Sequence, residues 1–250
     1  MEAYLDNSAT TRVDAQVQEL MKKLMDVDFG NPSSRHQKGV VAEGYIKEAR
    51  QKIAATLKVD PKELIITSGG TESNNMALIG TALAAKRKGN HIITTAVEHP
   101  SVKATASFLE EQGFRITFLS VDSRGQISLE DLKKALTPDT ILVSIMYVNN
   151  EIGTIQPVEE AAKLVHATVP GAVFHVDAIQ AYGKVVIRPK QQGIDLLSVS
   201  SHKFHGPKGA GFLYCSSKVN LHPIIFGGGQ QSGMRSGTEN VPGAAGMGLA

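Results

Sequence analysis

The stretch that decides the fold is 141–177, ILVSIMYVNNEIGTIQPVEEAAKLVHATVPGAVFHVD. It opens with an apolar, β-branched run over 141–148 and closes with a second apolar run over 172–177. The amphipathic segment between them carries Pro157, a residue that the first turn of a helix tolerates. Strand, helix and strand in this order, with strands apolar on both faces, are typical of a parallel β-α-β unit.

The same alternation continues on both sides of this stretch. Amphipathic segments follow an Asp14 cap over 14–25 and begin with the capping pair Ser128 and Asp131 over 128–136. This pattern predicts an α/β fold with a mostly parallel sheet of about seven strands, flanked by helices. The other predicted strands are 63–67, 91–97, 115–121, 195–200 and 211–215.

Composition excludes several classes of protein. The net charge is only +2 over 250 residues, and no basic run or aromatic-interleaved basic stripe argues for nucleic acid. No apolar run approaches the ~18 residues that a membrane span requires. The single cysteine, Cys215, forms no internal disulfide and suits a reducing compartment, and the N-terminus has no signal-peptide pattern. We expect a cytoplasmic enzyme with neither a membrane nor a nucleic-acid partner.

Polar residues follow the ends of five of the predicted strands. Ligands of open α/β sheets bind beyond the carboxyl ends of the strands, where such residues meet. Each group alone also has an ordinary explanation, as a helix cap, a turn residue or a hydrogen-bonded histidine. Together they indicate a flat aromatic ligand that carries a phosphate. The groups are Ser68–Glu72, Glu98–His99, Asn149–Glu151, Asp177 with Gln180, and Ser200–Lys203.

Pyridoxal 5'-phosphate is the ligand that would use all of these groups. Lys203 follows a buried strand, lies between His202 and His205, and would lose its proton readily when desolvated near other cations. The small residues in Ser68–Glu72, before the predicted helix that begins at Ser73, would hold the phosphate at the helix N-terminus. Asp177 would keep the ring nitrogen protonated, and His99 would stack on the ring. The alternative for Lys203 is an ordinary solvated surface lysine.

A metal site is the rival interpretation of the histidines. His202 and His205, or His175 and Asp177, have spacings at which two ligands can share a metal. The segment around His202 is predicted to be a loop, however, and no third ligand follows at a characteristic spacing. We therefore expect no metal.

The sequence closely resembles the cysteine desulfurases of iron–sulfur cluster assembly, in the class V aminotransferase branch of fold-type I pyridoxal phosphate enzymes. The resemblance covers essentially the whole chain in the right order. Its motifs include YLDNSATT (4–11), TSGGTESNN (67–75), EHPSV (98–102), VNNEIGTIQP (148–157), HVDAIQAYGK (175–184), SSHKFHGPKGAG (200–211) and GGGQQSGMRSGTENVP (227–242).

The resemblance implies a role for each matching residue. Lys203 would carry the cofactor as an imine, His99 would be the ring-stacking acid–base residue, and Asp177 would face the pyridine nitrogen. Gln180 and Asn150 would lie near the ring hydroxyl, with Asn150 also binding the substrate carboxylate. The phosphate would be held by Gly70, Thr71, Ser200 and His202, and by Thr238 of the neighbouring subunit of a homodimer.

The resemblance also implies an activity: L-cysteine becomes L-alanine, and its sulfur passes to an enzyme persulfide and then to an iron–sulfur scaffold or another acceptor protein. Residues 1–14 would belong to the small domain and 15–250 would form the PLP-binding large domain. The rest of the small domain, with the persulfide cysteine loop and the arginine that clamps the substrate, is expected to be absent. Cys215 ends a predicted strand and is expected to be structural.

Two alternatives to a desulfurase stay open at this point. The first keeps the cofactor and changes the reaction, as in a selenocysteine lyase or a class V aminotransferase. The second is a truncated, non-catalytic PLP-binding scaffold that acts as a partner in cluster assembly.

Overall fold

Seven strands form one sheet in the computed structural model, which describes residues 3–250. In chain order they are β1 (Leu64–Thr67), β2 (His91–Thr95), β3 (Arg115–Leu119), β4 (Thr140–Met146), β5 (Val173–Asp177), β6 (Leu196–Ser200) and β7 (Gly211–Cys215). Their spatial order is β1-β7-β6-β5-β4-β2-β3. Among the described strands only β7 runs antiparallel to its neighbours, β6 and β1. The predicted mostly parallel sheet of about seven strands is confirmed.

The strand directions bring the polar groups to one edge of the sheet. Because β7 is antiparallel to both β1 and β6, strand β1 runs in the same direction as the parallel set. The segments that follow β1, β2, β4, β5 and β6 therefore emerge at one edge, together with the segment that leads into β7. This edge is where ligands of open α/β sheets bind.

Helices cover both faces of the sheet. They are α1 (Ala15–Asp26), α2 (Gln37–Leu57), α3 (Gly70–Ala85), α4 (Pro100–Glu111), α5 (Leu129–Ala135), α6 (Val158–Thr168), α7 (Pro189–Gln192) and α8 (Val241–Leu249). Helices α3 and α4 pack on one face, and α2, α5, α6 and α8 pack on the other. The strands alternate between these layers, so that Ile92 joins the first core and Ile93 the second. None of the helices over 3–250 is long and apolar enough to cross a bilayer.

Two predicted helix caps are present in the structure, whereas Pro157 lies one position earlier than predicted. Asp14 accepts a hydrogen bond of 2.8 Å from the backbone N–H of Gln16, and Ser128 accepts one of 3.1 Å from that of Asp131, as capping residues do. Pro157 lies at the N-cap of α6 rather than in its first turn. Helix α2 had no specific prediction, because much of its buried side consists of small residues that give weak periodicity.

Candidate active site

A cavity of about 870 Å³ opens at the carboxyl edge of the sheet. Its walls come from the loops after β1, β2, β4, β5 and β6 and from the N-terminal segment around Asp6–Thr10. All of the predicted site residues line it except Thr238. Those that line it are Gly70, Thr71, His99, Asn150, Asp177, Gln180, Ser200, His202 and Lys203.

Lys203 contributes its side-chain amine to the wall of this cavity. It closes a short 3-10 turn that directly follows β6, and its Nζ donates hydrogen bonds to the carbonyl oxygens of Ser8 (2.5 Å) and Ala9 (2.8 Å). Burial lowers the pKa of Lys203, and nearby Lys184 lowers it further, while Asp6 and Asp177 oppose the shift. A lowered pKa increases the fraction of neutral amine, which is the form that attacks a carbonyl.

Asp177 contributes a buried carboxylate to the cavity wall; it is the last residue of β5 and is only 4% exposed. Its Oδ1 accepts from the backbone N–H of Ile179 (3.0 Å) and its Oδ2 from Nδ2 of Asn74 (2.8 Å). Burial raises the pKa of Asp177, whereas these two donors and the charges of His99 and Lys203 lower it. A carboxylate held in this way can pair with a cationic ring nitrogen of a ligand.

His99 caps helix α4, and Pro100 follows it at the first helical position. Its Nδ1 accepts from the backbone N–H of Ser101 (3.1 Å) and lies 2.8 Å from the Ser101 hydroxyl oxygen. Because Nδ1 accepts an N–H, the neutral ring carries its proton on Nε2. The hydrogen-bonded cap and the cavity-lining histidine, which were alternatives in the sequence, are therefore the same residue.

The N-terminus of α3 forms a cradle for an anion. Gly69 has a φ of 151°, which favours glycine, and Gly70 begins the helix. A Cβ at Gly70 would come within 2.0 Å of Cδ1 of Ile179, so a side chain there would have to displace this neighbour. The first amides of a helix have no intrahelical acceptor and attract negative charge.

Glu72 brings a negative charge to the same cradle, and an arginine pairs with it. The Glu72 carboxylate accepts from the backbone N–H of Ser68 (2.9 Å) and from Nε of Arg235 (2.8 Å). This ion pair offsets a charge that would otherwise repel a phosphate. Lys208, interpreted in the sequence as the more ordinary lysine, also lines the cavity.

Gln180 and Asn150 line the cavity on its other side. Gln180 donates from Nε2 to the carbonyl oxygen of Ser8 (2.8 Å), and its Oε1 accepts from Nζ of Lys184 (3.2 Å). Asn150 donates from Nδ2 to the carboxylate of Glu151 (2.6 Å). Each amide nitrogen keeps a second hydrogen that a polar ring substituent or a carboxylate of a ligand could accept.

Two predicted features lie elsewhere. Thr238 is exposed and does not line this cavity, so its predicted contact with a neighbouring subunit stays a prediction. Cys215 also lies outside the cavity, and burial, with smaller effects of Glu63 and Asp195, raises the pKa of its thiol to about 12. A thiol of this kind is protonated at neutral pH and is a poor nucleophile.

The histidines of the metal alternative bind protein groups. His175 lies between the hydroxyls of Ser144 (2.8 Å) and Ser198 (2.9 Å) in the middle of the sheet, and burial lowers its pKa to about 3. His202 contacts Thr10 through Nδ1 (3.1 Å), and His205 contacts the Arg12 carbonyl oxygen (3.1 Å). Within residues 3–250, no group of three or more histidine, cysteine, aspartate or glutamate side chains is placed to hold a metal ion.

The sequence does not indicate the role of Asn74 or the burial of Glu98, although Glu98 is among the predicted strand-end groups. Asn74 and Glu98 stand inside the quoted motifs, but nothing in their type distinguishes a buried partner from a helix-surface or turn residue. Glu98 is 4% exposed, and its Oε1 accepts from the backbone N–H of Met146 and from the Thr95 hydroxyl, both at 2.8 Å. Burial raises its pKa to about 8, with a smaller contribution from Asp177. Ser8 and Ala9 accept hydrogen bonds through their backbone carbonyls, so their residue types do not predict these contacts.

Comparison with known proteins finds a family model and relatives that match essentially the whole chain. The family model described as aminotransferase class-V matches residues 3–250. The cysteine desulfurase IscS of Dictyoglomus turgidum is 51% identical over 249 residues, which is 100% of this chain and 63% of that protein. The putative cysteine desulfurase IscS 1 of Bacillus subtilis is 51% identical over 244 residues, 98% of this chain and 64% of that protein. The chain thus spans less than two thirds of these relatives.

Solved structures agree in fold. A structure titled "NifS-like protein" has a TM-score of 0.97 and 44% identity, and the match covers 100% of this chain and 68% of the other. A structure titled "SspA in complex with cysteine" has a TM-score of 0.95 and 40% identity, over 99% of this chain and 72% of the other.

Proposed function

This chain belongs to the class-V aminotransferase family, and on that premise we propose that it serves a pyridoxal 5'-phosphate-dependent cysteine desulfurase. The reaction would convert L-cysteine to L-alanine and deliver sulfur, through a persulfide, to an iron–sulfur scaffold or another acceptor protein. One observation carries the proposal. Lys203, Asp177 and His99 line one cavity beside the Gly70 cradle, in a chain 51% identical to a named cysteine desulfurase.

The residues of the cavity fit the cofactor that this family uses. Gly70 leaves room where a Cβ would meet Ile179, and the helix N-terminus beside it suits a phosphate. Asp177 is a buried carboxylate whose two hydrogen-bonding partners are both neutral, which suits a protonated ring nitrogen. Lys203 would hold the cofactor through its amine. The phosphate would be bound by Gly70, Thr71, Ser200 and His202, and the ring hydroxyl by Gln180 and Asn150.

When bound, pyridoxal phosphate supplies an electron sink next to the α-carbon of the substrate. The residues of the chain would do the remaining work. Lys203, with its lowered pKa, and His99, through Nε2, would move protons at the substrate. Asn150 would bind the substrate carboxylate. Asp177 would keep the ring nitrogen positively charged.

We propose that the sulfur-accepting thiol comes from outside the residues described, because the only cysteine of the chain, Cys215, is buried and outside the cavity. Residues 15–250 would act as the cofactor-binding large domain, and the segment up to residue 14 as part of a small domain. The homodimer, with Thr238 completing the phosphate site of the neighbouring subunit, is part of the same proposal. One cysteine in 250 residues supports a reducing, cytoplasmic setting.

The test uses the purified 250-residue chain and pyridoxal phosphate. We expect an absorbance band of the lysine-bound cofactor that Lys203→Ala abolishes and Lys208→Ala, a lysine that also lines the cavity, retains. L-cysteine should change this band, and L-alanine and a protein persulfide should form only when a second protein with an exposed thiol is added. A reductant such as dithiothreitol, added afterwards, should release the persulfide sulfur as sulfide. A wild-type chain without the band, or a band that survives in Lys203→Ala, would contradict the proposal.

The buried position of Cys215 also favours a second candidate, a cofactor-binding partner that transfers no sulfur. The two candidates differ in one measurement. A desulfurase chain changes its band with L-cysteine and supports persulfide formation once a thiol is supplied. A scaffold chain binds the cofactor but leaves L-cysteine unchanged.

A further inference from the structure

Asn74 connects two of the cavity residues from behind. It lies on α3 and is completely buried, and its Nδ2 donates to Oδ2 of Asp177 (2.8 Å) and to the hydroxyl oxygen of Ser101 (2.9 Å). An amide nitrogen only donates, so both of its hydrogens are used in these two bonds. A carboxylate from β5 and a hydroxyl from α4 are thereby held by one side chain of α3.

The direction of the donors fixes the proton on His99. Because the Ser101 hydroxyl accepts from Asn74, its own hydrogen is available for Nδ1 of His99, 2.8 Å away. The backbone N–H of Ser101 donates to the same nitrogen. The hydrogen bonds that start at Asn74 therefore end on two acceptors, the carboxylate of Asp177 and Nδ1 of His99.

The orientation of Asn74 leaves its other atom without a partner. Within residues 3–250, Oδ1 of Asn74 is buried and accepts no hydrogen bond. Rotating the amide by 180° would place this oxygen against the Asp177 carboxylate and lose both donated bonds. A buried acceptor without a partner destabilises the fold, and native structures contain few of them. This cost suggests that the two hydrogen bonds donated by the Asn74 amide, to Asp177 and to Ser101, are important for the site.

We propose that Asn74 is a positioning residue that holds Asp177 as an oriented carboxylate and, through Ser101, holds His99 with its proton on Nε2. The cofactor-facing half of this inference rests on the proposed function. The half that concerns the tautomer of His99 does not depend on a cofactor.

The first test measures the dissociation constant of pyridoxal phosphate by absorbance titration of the 250-residue chain. Asn74→Ala removes a charge-assisted hydrogen bond from Asp177, and we expect binding to weaken about tenfold. In an Asp177→Asn background the same substitution should change binding by no more than about twofold, because the charge it supports is gone. A purely structural role for Asn74 predicts the same loss in both backgrounds and would overturn the inference.

The neighbouring amide provides a matched control. Asn75 lies on the same helix, is partly exposed, and donates from Nδ2 to the backbone carbonyl of Thr71 (2.9 Å). Asn75→Ala should leave the dissociation constant within about twofold of the wild-type value. We call the two hydrogen bonds from Asn74, to Asp177 and to Ser101, the Asn74 bridge. A loss of affinity as large as that of Asn74→Ala would show that the effect comes from helix α3 in general and not from this bridge.

The second test needs no cofactor. Nitrogen-15 chemical shifts of the His99 ring, identified by comparison with His99→Gln, should show a proton on Nε2 and an accepting Nδ1. Ser101→Ala removes the hydroxyl donor and leaves the backbone N–H as the remaining donor to Nδ1. It should therefore increase the fraction of His99 that carries its proton on Nδ1, with a smaller effect on cofactor binding because the bond from Asn74 to Asp177 stays in place. This variant also serves if Asn74→Ala does not fold.

The outcomes separate the two hypotheses. If the wild-type chain binds no pyridoxal phosphate but Asn74→Ala and Ser101→Ala both lower the fraction of His99 that carries its proton on Nε2, the proposed function fails and the role of Asn74 stands. If the cofactor binds and His99 carries its proton on Nδ1, or if Asn74→Ala binds the cofactor as tightly as the wild type, the bridge is wrong.

Discussion

The amine of Lys203 donates a hydrogen bond of 2.8 Å to the carbonyl oxygen of Ala9, a residue 194 positions earlier in the chain. The same N-terminal segment accepts from Gln180 at Ser8, and the backbone N–H of Thr11 donates to the His202 carbonyl oxygen at 2.8 Å. The segment before α1 therefore forms a wall of the cavity, although it contributes no strand to the sheet.

Removal of residues 1–10 should raise the pKa of Lys203. Burial is the largest cause of its lowered pKa, and the removed segment contacts the amine at Ser8 and Ala9. We expect the loss of this burial to exceed the opposite effects of losing the Asp6 charge and the two carbonyl acceptors. Competitive labelling of lysines with acetic anhydride as a function of pH measures the shift. Lys47, which is exposed and paired with Glu43, is the internal control and should not change. An unchanged pKa of Lys203 would show that other elements bury it.

A methyl group at Gly70 should close the anion cradle. The new Cβ would meet the end of the Ile179 side chain, which also lines the cavity and would have to move. Because overpacking typically destabilises by about 1–3 kcal/mol, we expect Gly70→Ala to weaken pyridoxal phosphate binding by about tenfold or more. Equilibrium titration of the cofactor measures this loss.

A second substitution identifies the cause of that loss. Gly70→Ala combined with Ile179→Ala should recover most of the affinity, since the obstructing side chain is gone. Gly44→Ala, where the new Cβ would meet nothing within 4 Å, should leave binding unchanged. Failure of the double variant to recover would point to the backbone of α3 rather than to Ile179.

Glu98 should make the stability of the fold fall as the pH rises. Its pKa is about 8 in the folded state, whereas a solvated glutamate has a pKa of 4.5, so between these values the folded chain binds more protons than the unfolded chain. The free energy of unfolding therefore decreases with pH in this window, by at most about 1.4 kcal/mol per pH unit from this group. Glu98→Gln, which keeps an acceptor for Met146, should lack this decrease.

Urea unfolding at pH 5.5, 6.5 and 7.5 measures the difference. The variant should gain stability relative to the wild type at each step upward in pH. Glu110→Gln, an exposed glutamate of α4, should follow the wild-type curve. Parallel curves for the wild type and Glu98→Gln would contradict the buried neutral acid.

Cys215 should be unreactive in the folded chain. With the pKa of its thiol raised to about 12, the thiolate is scarce at pH 8, and burial also restricts access. We expect a disulfide reagent such as DTNB to react at least about tenfold more slowly with the folded chain than with the chain in urea. Rapid reaction of the folded protein, abolished by Cys215→Ser, would restore Cys215 as a candidate sulfur carrier.

The sequence predicts most of this sheet, because its strands are apolar on both faces and glycine or polar residues end them. It also predicts which residues reach the cavity, since parallel strands bring their carboxyl ends to one edge. It could not predict the bridge at Asn74 or the burial of Glu98. The contacts of Asn74 depend on the packing of α3 against α4 and β5, and the burial of Glu98 depends on its position against β2 and β4. An asparagine or glutamate has the same local sequence pattern whether it is buried or solvated.

The reversed direction of β7 has a consequence for the lysine. Ser200 of β6 pairs with Gly211 of β7, so the segment that carries Lys203 leaves and re-enters the sheet through adjacent, hydrogen-bonded positions. A crossover between parallel strands would instead connect it through a helix on one face. Lys203 thus lies in the loop of a hairpin whose two strands, β6 and β7, are hydrogen-bonded to each other. The position of this loop should therefore tolerate insertions or chain breaks in distant connections, such as the one between β3 and β4. The strand ladder therefore fixes where the loop with Lys203 leaves and rejoins the sheet, whereas the N-terminal segment fixes the position of its amine.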